Sequence, residues 1–138
     1  MNNLYDILNI GGNKEDIIKS CINTARYDLR NVVEKQRCKI YSSYLSDLLS
    51  QKHIINKVIR TGDFSSYDHH FVMVPKDSDN YYLIDLTYSQ FNNDYFIELL
   101  EDGYTIINNA TLLIYLSIVT GEVLDKDIDE FYFGGKKL

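Results

Sequence analysis

His69-His-Phe-Val-Met-Val-Pro-Lys-Asp-Ser-Asp-Asn-Tyr-Tyr-Leu-Ile-Asp-Leu-Thr-Tyr88 is the stretch on which the fold turns. It holds two apolar runs rich in β-branched and aromatic residues, separated by the polar segment Lys76 to Asp79. Runs of this length and composition around a polar turn read as a β-hairpin. Neither run alternates with polar residues, so both strands are expected to be central and covered on both faces. A four-residue loop over 76–79 sets Val74 opposite Tyr81 and His70 opposite Asp85. Directly opposed residues share a face with Cβ atoms about 4.5–5.5 Å apart, close enough for an imidazole to bond a carboxylate. A loop of three or five residues slips the register and offers His69 instead. Either way, an aspartate inside an apolar strand is costly to bury unpaired, so Asp85 calls for a hydrogen-bonding or cationic partner.

Working outward, Ile17, Ile18, Cys21, Ile22, Ala25, Leu29, Val32 and Val33 recur at helical spacing, as do Tyr41, Tyr44, Leu45, Leu48 and Leu49. These predict helices over 14–35 and 38–51, the first with Asn13 as N-cap. A short helix over 3–10 would end at Gly11-Gly12. Residues 54–61 read as a strand and 62–66 as a loop. Beyond the hairpin, 93–101 and 109–120 read as helices, joined by an extended link at 104–106. The order is helices, a mostly antiparallel sheet, then helices: an α+β fold. The chain of 138 residues fits one domain, 1–138, and can bury a core without staples.

The formal charge of −6 argues against nucleic acid as a partner. No apolar run approaches the roughly 18 residues of a membrane span, and the N-terminal residues lack a signal-peptide pattern, so a cytoplasmic protein with two free thiols is expected. No CxxC, HxxxH or HExxH spacing occurs, and neither a metal nor a cofactor is expected. His53, at a helix end, is expected in a capping or dipole role.

The two cysteines differ. Cys21 lies in an apolar helical stripe, where a thiol behaves as a small inert hydrophobe. Cys38 follows the polar stretch Glu34-Lys35-Gln36-Arg37 and opens the next helix. The helix macrodipole and the flanking Arg37 and Lys39 favour its thiolate, the form that attacks carbonyls.

The segment Cys38–Ile59, with Cys38, Ser42 four residues on, Leu48-Leu49 and an extended stretch near Ile54, resembles the nucleophile helix of the transglutaminase-like and papain-like cysteine enzyme superfamily. Residues 69–91 resemble its histidine and aspartate strands. "IDLTYSQF" (84–91) and "FIELLEDGYTIIN" (96–108) are similar to bacterial toxin and effector domains that deamidate or transamidate glutamine in host proteins. The resemblance spans about residues 14–120. It implies a papain/transglutaminase-like fold, with N-terminal helices packed on a small sheet, and a triad of nucleophile Cys38, base His70 and orienting Asp85. It further implies acyl transfer on protein or peptide amides through a thioester, with a cysteine peptidase or a non-catalytic binding domain of the same fold as alternatives. Delivery to a host is compatible with it. The backbone N–H of Cys38 and, second, Gln36 are candidate oxyanion donors. Gln90 either lines the pocket or caps the following helix.

Overall fold

The computed structural model describes residues 10–32, 37–123, 132–133 and 136–137. Helix α1 spans Ile10–Asp28 and α2 Arg37–Gln51. Strands β1 (Lys57–Arg60), β2 (His70–Pro75), β3 (Tyr81–Ile84) and β4 (Tyr104–Ile107) form an antiparallel sheet in that order. Helix α3 (Asp94–Leu99) links β3 to β4, and α4 (Asn109–Thr120) follows β4. Two-residue strands β5 (Tyr132–Phe133) and β6 (Lys136–Lys137) pair with each other. The architecture is α+β, with helices on both sheet faces.

The hairpin strands are the central pair, and all but Pro75 of their residues are buried, as two-faced apolar runs require. Val72, Val74, Tyr82 and Ile84 face α1 and α2, against Ile18, Ile22, Ala25, Leu45 and Leu49. Phe71, Met73, Tyr81 and Leu83 face the other way, against Phe96 and Leu100 and the α4 stripe Leu112, Tyr115, Leu116 and Val119. That stripe has the i, i+3, i+4, i+7 spacing of a buried helix face.

The register differs from the one expected. Pro75 pairs with Tyr81, and Val72 with Ile84. Asp77 makes the difference: its Oδ1 accepts from the backbone N–H of Asp79 and of Asn80, both at 2.9 Å. This draws Asn80 out of the strand and makes a five-residue loop. Continued one step, the register sets Phe71, not His70, opposite Asp85.

Three element limits also differ. Gly11, Gly12 and Asn13 lie inside α1, so the glycines do not stop a helix and Asn13 is not its cap. Glycine costs a helix only about 1 kcal/mol, which an amphipathic stripe outweighs. Residues 3–9 lie outside those described. Helix α1 stops at Asp28 rather than 35, and side chains from beyond its end take up carbonyls there. Arg30 Nη1 donates to Tyr27 O at 2.6 Å, and Tyr41 Oη donates to Leu29 O at 2.9 Å. Strand β1 starts three residues late because 52–54 close α2. Ile54 N donates to Leu49 O at 2.9 Å around His53, which sits at φ 62°. His53 is thus a backbone C-cap in the left-handed conformation, with its side chain exposed. Helix α4 and β4 fall within a residue of expectation.

Candidate active site

Asp85 follows β3 on the face that looks toward α4. Its backbone N–H donates to Gly103 O at 3.0 Å. Gly103 has φ 95°, and a Cβ there would meet Leu86 at 2.8 Å, so glycine is required for this hold on Asp85. The carboxylate is buried, 3% exposed, and every lone pair has a use. Oδ2 accepts from His69 Nε2 at 2.8 Å and from the Tyr115 hydroxyl. Oδ1 accepts from Thr87 N at 3.1 Å and Thr87 Oγ1 at 3.4 Å. This is the compensation that the cost of a buried aspartate demands.

The partner is therefore His69, and the expected His70–Asp85 pairing is not formed. His69 lies diagonal to Asp85 on the same face. His70 turns to the opposite face, and its Nε2 pairs with Asp68 Oδ2 at 3.1 Å. Asp68 is held in turn by the Gly62 N–H at 3.0 Å. Burial pushes the Asp68 carboxyl up, but His70 and Gly62 outweigh it and hold the group below its usual range. His69 is fully buried; Phe91 meets its ring edge-on at 4.7 Å, and Phe71 stacks at 6.2 Å. The ring is thus locked by packing as well as by Asp85.

With Nε2 committed to Asp85, Nδ1 is left buried without a close hydrogen-bond partner. The His69 ring is also coupled electrostatically to the Cys38 thiol. Cys38 is the second residue of α2, where backbone N–H groups have no partner within the helix. Burial pushes its thiol up; the His69 ring and the His70 backbone N–H pull it down further, and the net result lies below the ordinary value. Burial likewise pushes His69 down, but Asp85 and Cys38 together bring it up to about 9. Both shifts are in the direction that favours the charged forms, thiolate and imidazolium. Tyr115 is pushed well above its usual 10 by burial and by Asp85, so it stays a hydrogen-bond donor.

Cys38 is partly exposed and borders two hollows. One, of about 690 Å³, has Arg60, Asp63, Tyr67 and Asp68 in its lining. The other, of about 220 Å³, is lined by Arg37, Thr87, Ser89 and Gln90. Gln90 also borders the first. The pocket-lining alternative for Gln90 holds; the cap of α3 is Asn93, whose side chain accepts from Phe96 N. Gln36 lies outside the described residues. Cys21 is 4% exposed in the α1–α2 core, and burial pushes its thiol up, as an inert thiol requires.

The structure thus pairs Asp85 with His69 and couples the Cys38 thiol electrostatically to that ring, while the His70 ring pairs with Asp68. Sequence reasoning missed Tyr115 and Thr87. Tyr115 carries a hydroxyl in an otherwise apolar stripe, and a buried phenol needs a partner; that was the available signal. No protein-family model matches the chain, and no curated protein or solved structure matches it significantly.

Proposed function

We propose that this chain is a cysteine-dependent acyl-transfer enzyme of papain/transglutaminase type, with Cys38 as nucleophile, His69 as base and Asp85 as orienter. One observation carries this reading. A thiol at a helix N-terminus is coupled to a buried His–Asp pair, and it borders two hollows. The side chains needed to activate a thiol are present, in the chain order Cys…His…Asp. A buried pair serving stability alone would leave the thiol's lowered pKa and its position between hollows without a use.

The substrate class is a carboxamide of a protein, with the glutamine side chain as the favoured target. The Cys38 thiolate adds to the carbonyl carbon, and the C=O pair moves onto oxygen. As the carbonyl re-forms, ammonia departs with the bonding pair and takes the His69 proton, leaving a thioester and a neutral imidazole. His69 then takes a proton from water or from a primary amine, which attacks the thioester and displaces Cys38. Water gives deamidation; the amine gives transamidation. Asp85 fixes the orientation of the ring and offsets the imidazolium charge.

The test is mass spectrometry of casein incubated with the protein, with and without a fluorescent primary amine. Deamidation leaves intact chains slightly heavier at glutamine, amine incorporation adds the label there, and peptide-bond hydrolysis leaves fragments. All three must vanish in Cys38→Ala. If wild-type Cys38 also reacts with iodoacetamide no faster near neutral pH than free cysteine, the catalytic reading is wrong and a binding domain remains.

A further inference from the structure

We propose that Gln90 is a catalytic residue, supplying a side-chain N–H to the oxyanion formed during acylation of Cys38. The proposal rests on the acyl-transfer reading above. Gln90 and Cys38 are the two residues that border both the 690 Å³ cleft and the 220 Å³ hollow. The Gln90 side chain therefore borders the approach to the sulfur from either hollow.

The amide is also anchored. Its Nε2 donates to Thr87 Oγ1 at 3.3 Å, and Thr87 Oγ1 donates to Asp85 Oδ1 at 3.4 Å. The carboxylate that orients the base thus fixes the Gln90 amide as well. The short 3₁₀ turn Tyr88–Gln90 holds the backbone, with Phe91 N bonded to Tyr88 O at 2.9 Å and Tyr88 buried beneath. A primary amide has two N–H donors, and Thr87 uses one. The second is free for a developing negative oxygen. The Cys38 backbone N–H, in the first turn of α2, is the other donor.

The nearby cations are poorer candidates. Arg37 borders the smaller hollow alone, with its guanidinium 5.4 Å from the Tyr41 ring, and Lys39 borders the larger alone. Both are exposed on long stems, so neither is pre-aimed at the sulfur.

Two reagents acting on the same thiol separate oxyanion stabilisation from thiolate activation. Iodoacetamide is attacked at a saturated carbon; the S–C bond forms as iodide leaves, and no oxyanion arises. p-Nitrophenyl acetate is attacked at its carbonyl, passes through a tetrahedral oxyanion, and expels p-nitrophenolate with the bonding pair to leave an acetyl thioester. For Gln90→Ala and the similarly sized Gln90→Met, the p-nitrophenolate burst is expected to slow on the order of 100-fold, while iodoacetamide alkylation stays within about twofold of wild type. Gln90 is exposed, so unchanged urea midpoints are expected to accompany these rates. Burst rates that match wild type in both variants overturn the proposal. So does a parallel fall in alkylation, which would make Gln90 a support for the thiolate. A wild-type burst that is absent, or that survives in Cys38→Ala, instead refutes the acyl-transfer reading itself.

Discussion

Asp85→Asn removes one charge and almost no volume, and its consequences follow from the contacts of each oxygen. In the wild type, Oδ2 accepts from His69 Nε2 at 2.8 Å and from the Tyr115 hydroxyl, while Oδ1 accepts from Thr87 N at 3.1 Å. An amide can accept at one end only. Whichever way it turns, its NH₂ confronts a buried donor, costing about 1–3 kcal/mol. The charge has a second effect. His69 stands at about 9 against an ordinary 6.5, a preference for imidazolium worth roughly 3 kcal/mol. Burial opposes that rise, and the hydrogen bond to Asp85 is the largest contribution in its favour.

Without the carboxylate, His69 is neutral at neutral pH and Cys38 loses the imidazolium beside it. The iodoacetamide rate near neutral pH is expected to fall at least about tenfold. Stability carries the same signature. A group whose pKa is raised by folding adds stability that is complete below its unfolded value and disappears as pH rises through its folded value. The Cys38 thiol, lowered by folding, has the opposite linkage and would mask part of this, so urea unfolding belongs in a Cys38→Ala background. There, the stability lost on Asp85→Asn is expected to be greatest near pH 6 and to shrink by roughly 2 kcal/mol by about pH 9.5, leaving the donor conflict behind. A stability gap that is flat or widens with pH would refute the His69–Asp85 ion pair. Unchanged alkylation would refute its action on Cys38.

His69→Gln is expected to abolish the neutral-pH reactivity of Cys38, whereas His70→Gln keeps the backbone N–H on the sulfur and should cost only about threefold; iodoacetamide rates compare the two, and equal losses would reject His69 as the base. His53→Gly relieves a non-glycine residue held at φ 62° and should raise unfolding free energy by about 0.5–1 kcal/mol, read from the urea midpoint. Its alkylation rate should not change, because His53 lies at the end of α2 away from Cys38.

The sequence announces some of this arrangement and conceals the rest for identifiable reasons. The hairpin strands are legible because an apolar run without alternation can only lie between two covered faces. Asp85 is legible because a carboxylate among Tyr81–Leu86 must be compensated somewhere. Cys38, the proposed nucleophile, is legible from its place at the head of a helix. The ends of α1 and β1 are not, because they depend on Arg30, Tyr41 and the Leu49–Ile54 cap, contacts that local periodicity does not encode. Tyr115 is hidden for a similar reason: it comes from α4, 30 residues beyond the carboxylate it serves.

Which histidine pairs with Asp85 turns on parity. In an antiparallel pair, the two positions in a register add to a constant, and that constant decides which residues share a face. A four-residue loop makes it odd, so Asp85 shares its face with even-numbered residues of the preceding strand, His70 among them. The five-residue loop makes it even, and the odd-numbered His69 and Phe71 take that face. The switch depends on the Asp77 carboxylate, which gathers the Asp79 and Asn80 N–H groups at the far end of the hairpin from the site. His70 is then free to present its backbone N–H to the sulfur and its ring to Asp68. The adjacent histidines are therefore not interchangeable. One meets the thiol through its ring and the other through its main chain, and a one-residue difference in a remote turn assigns the roles.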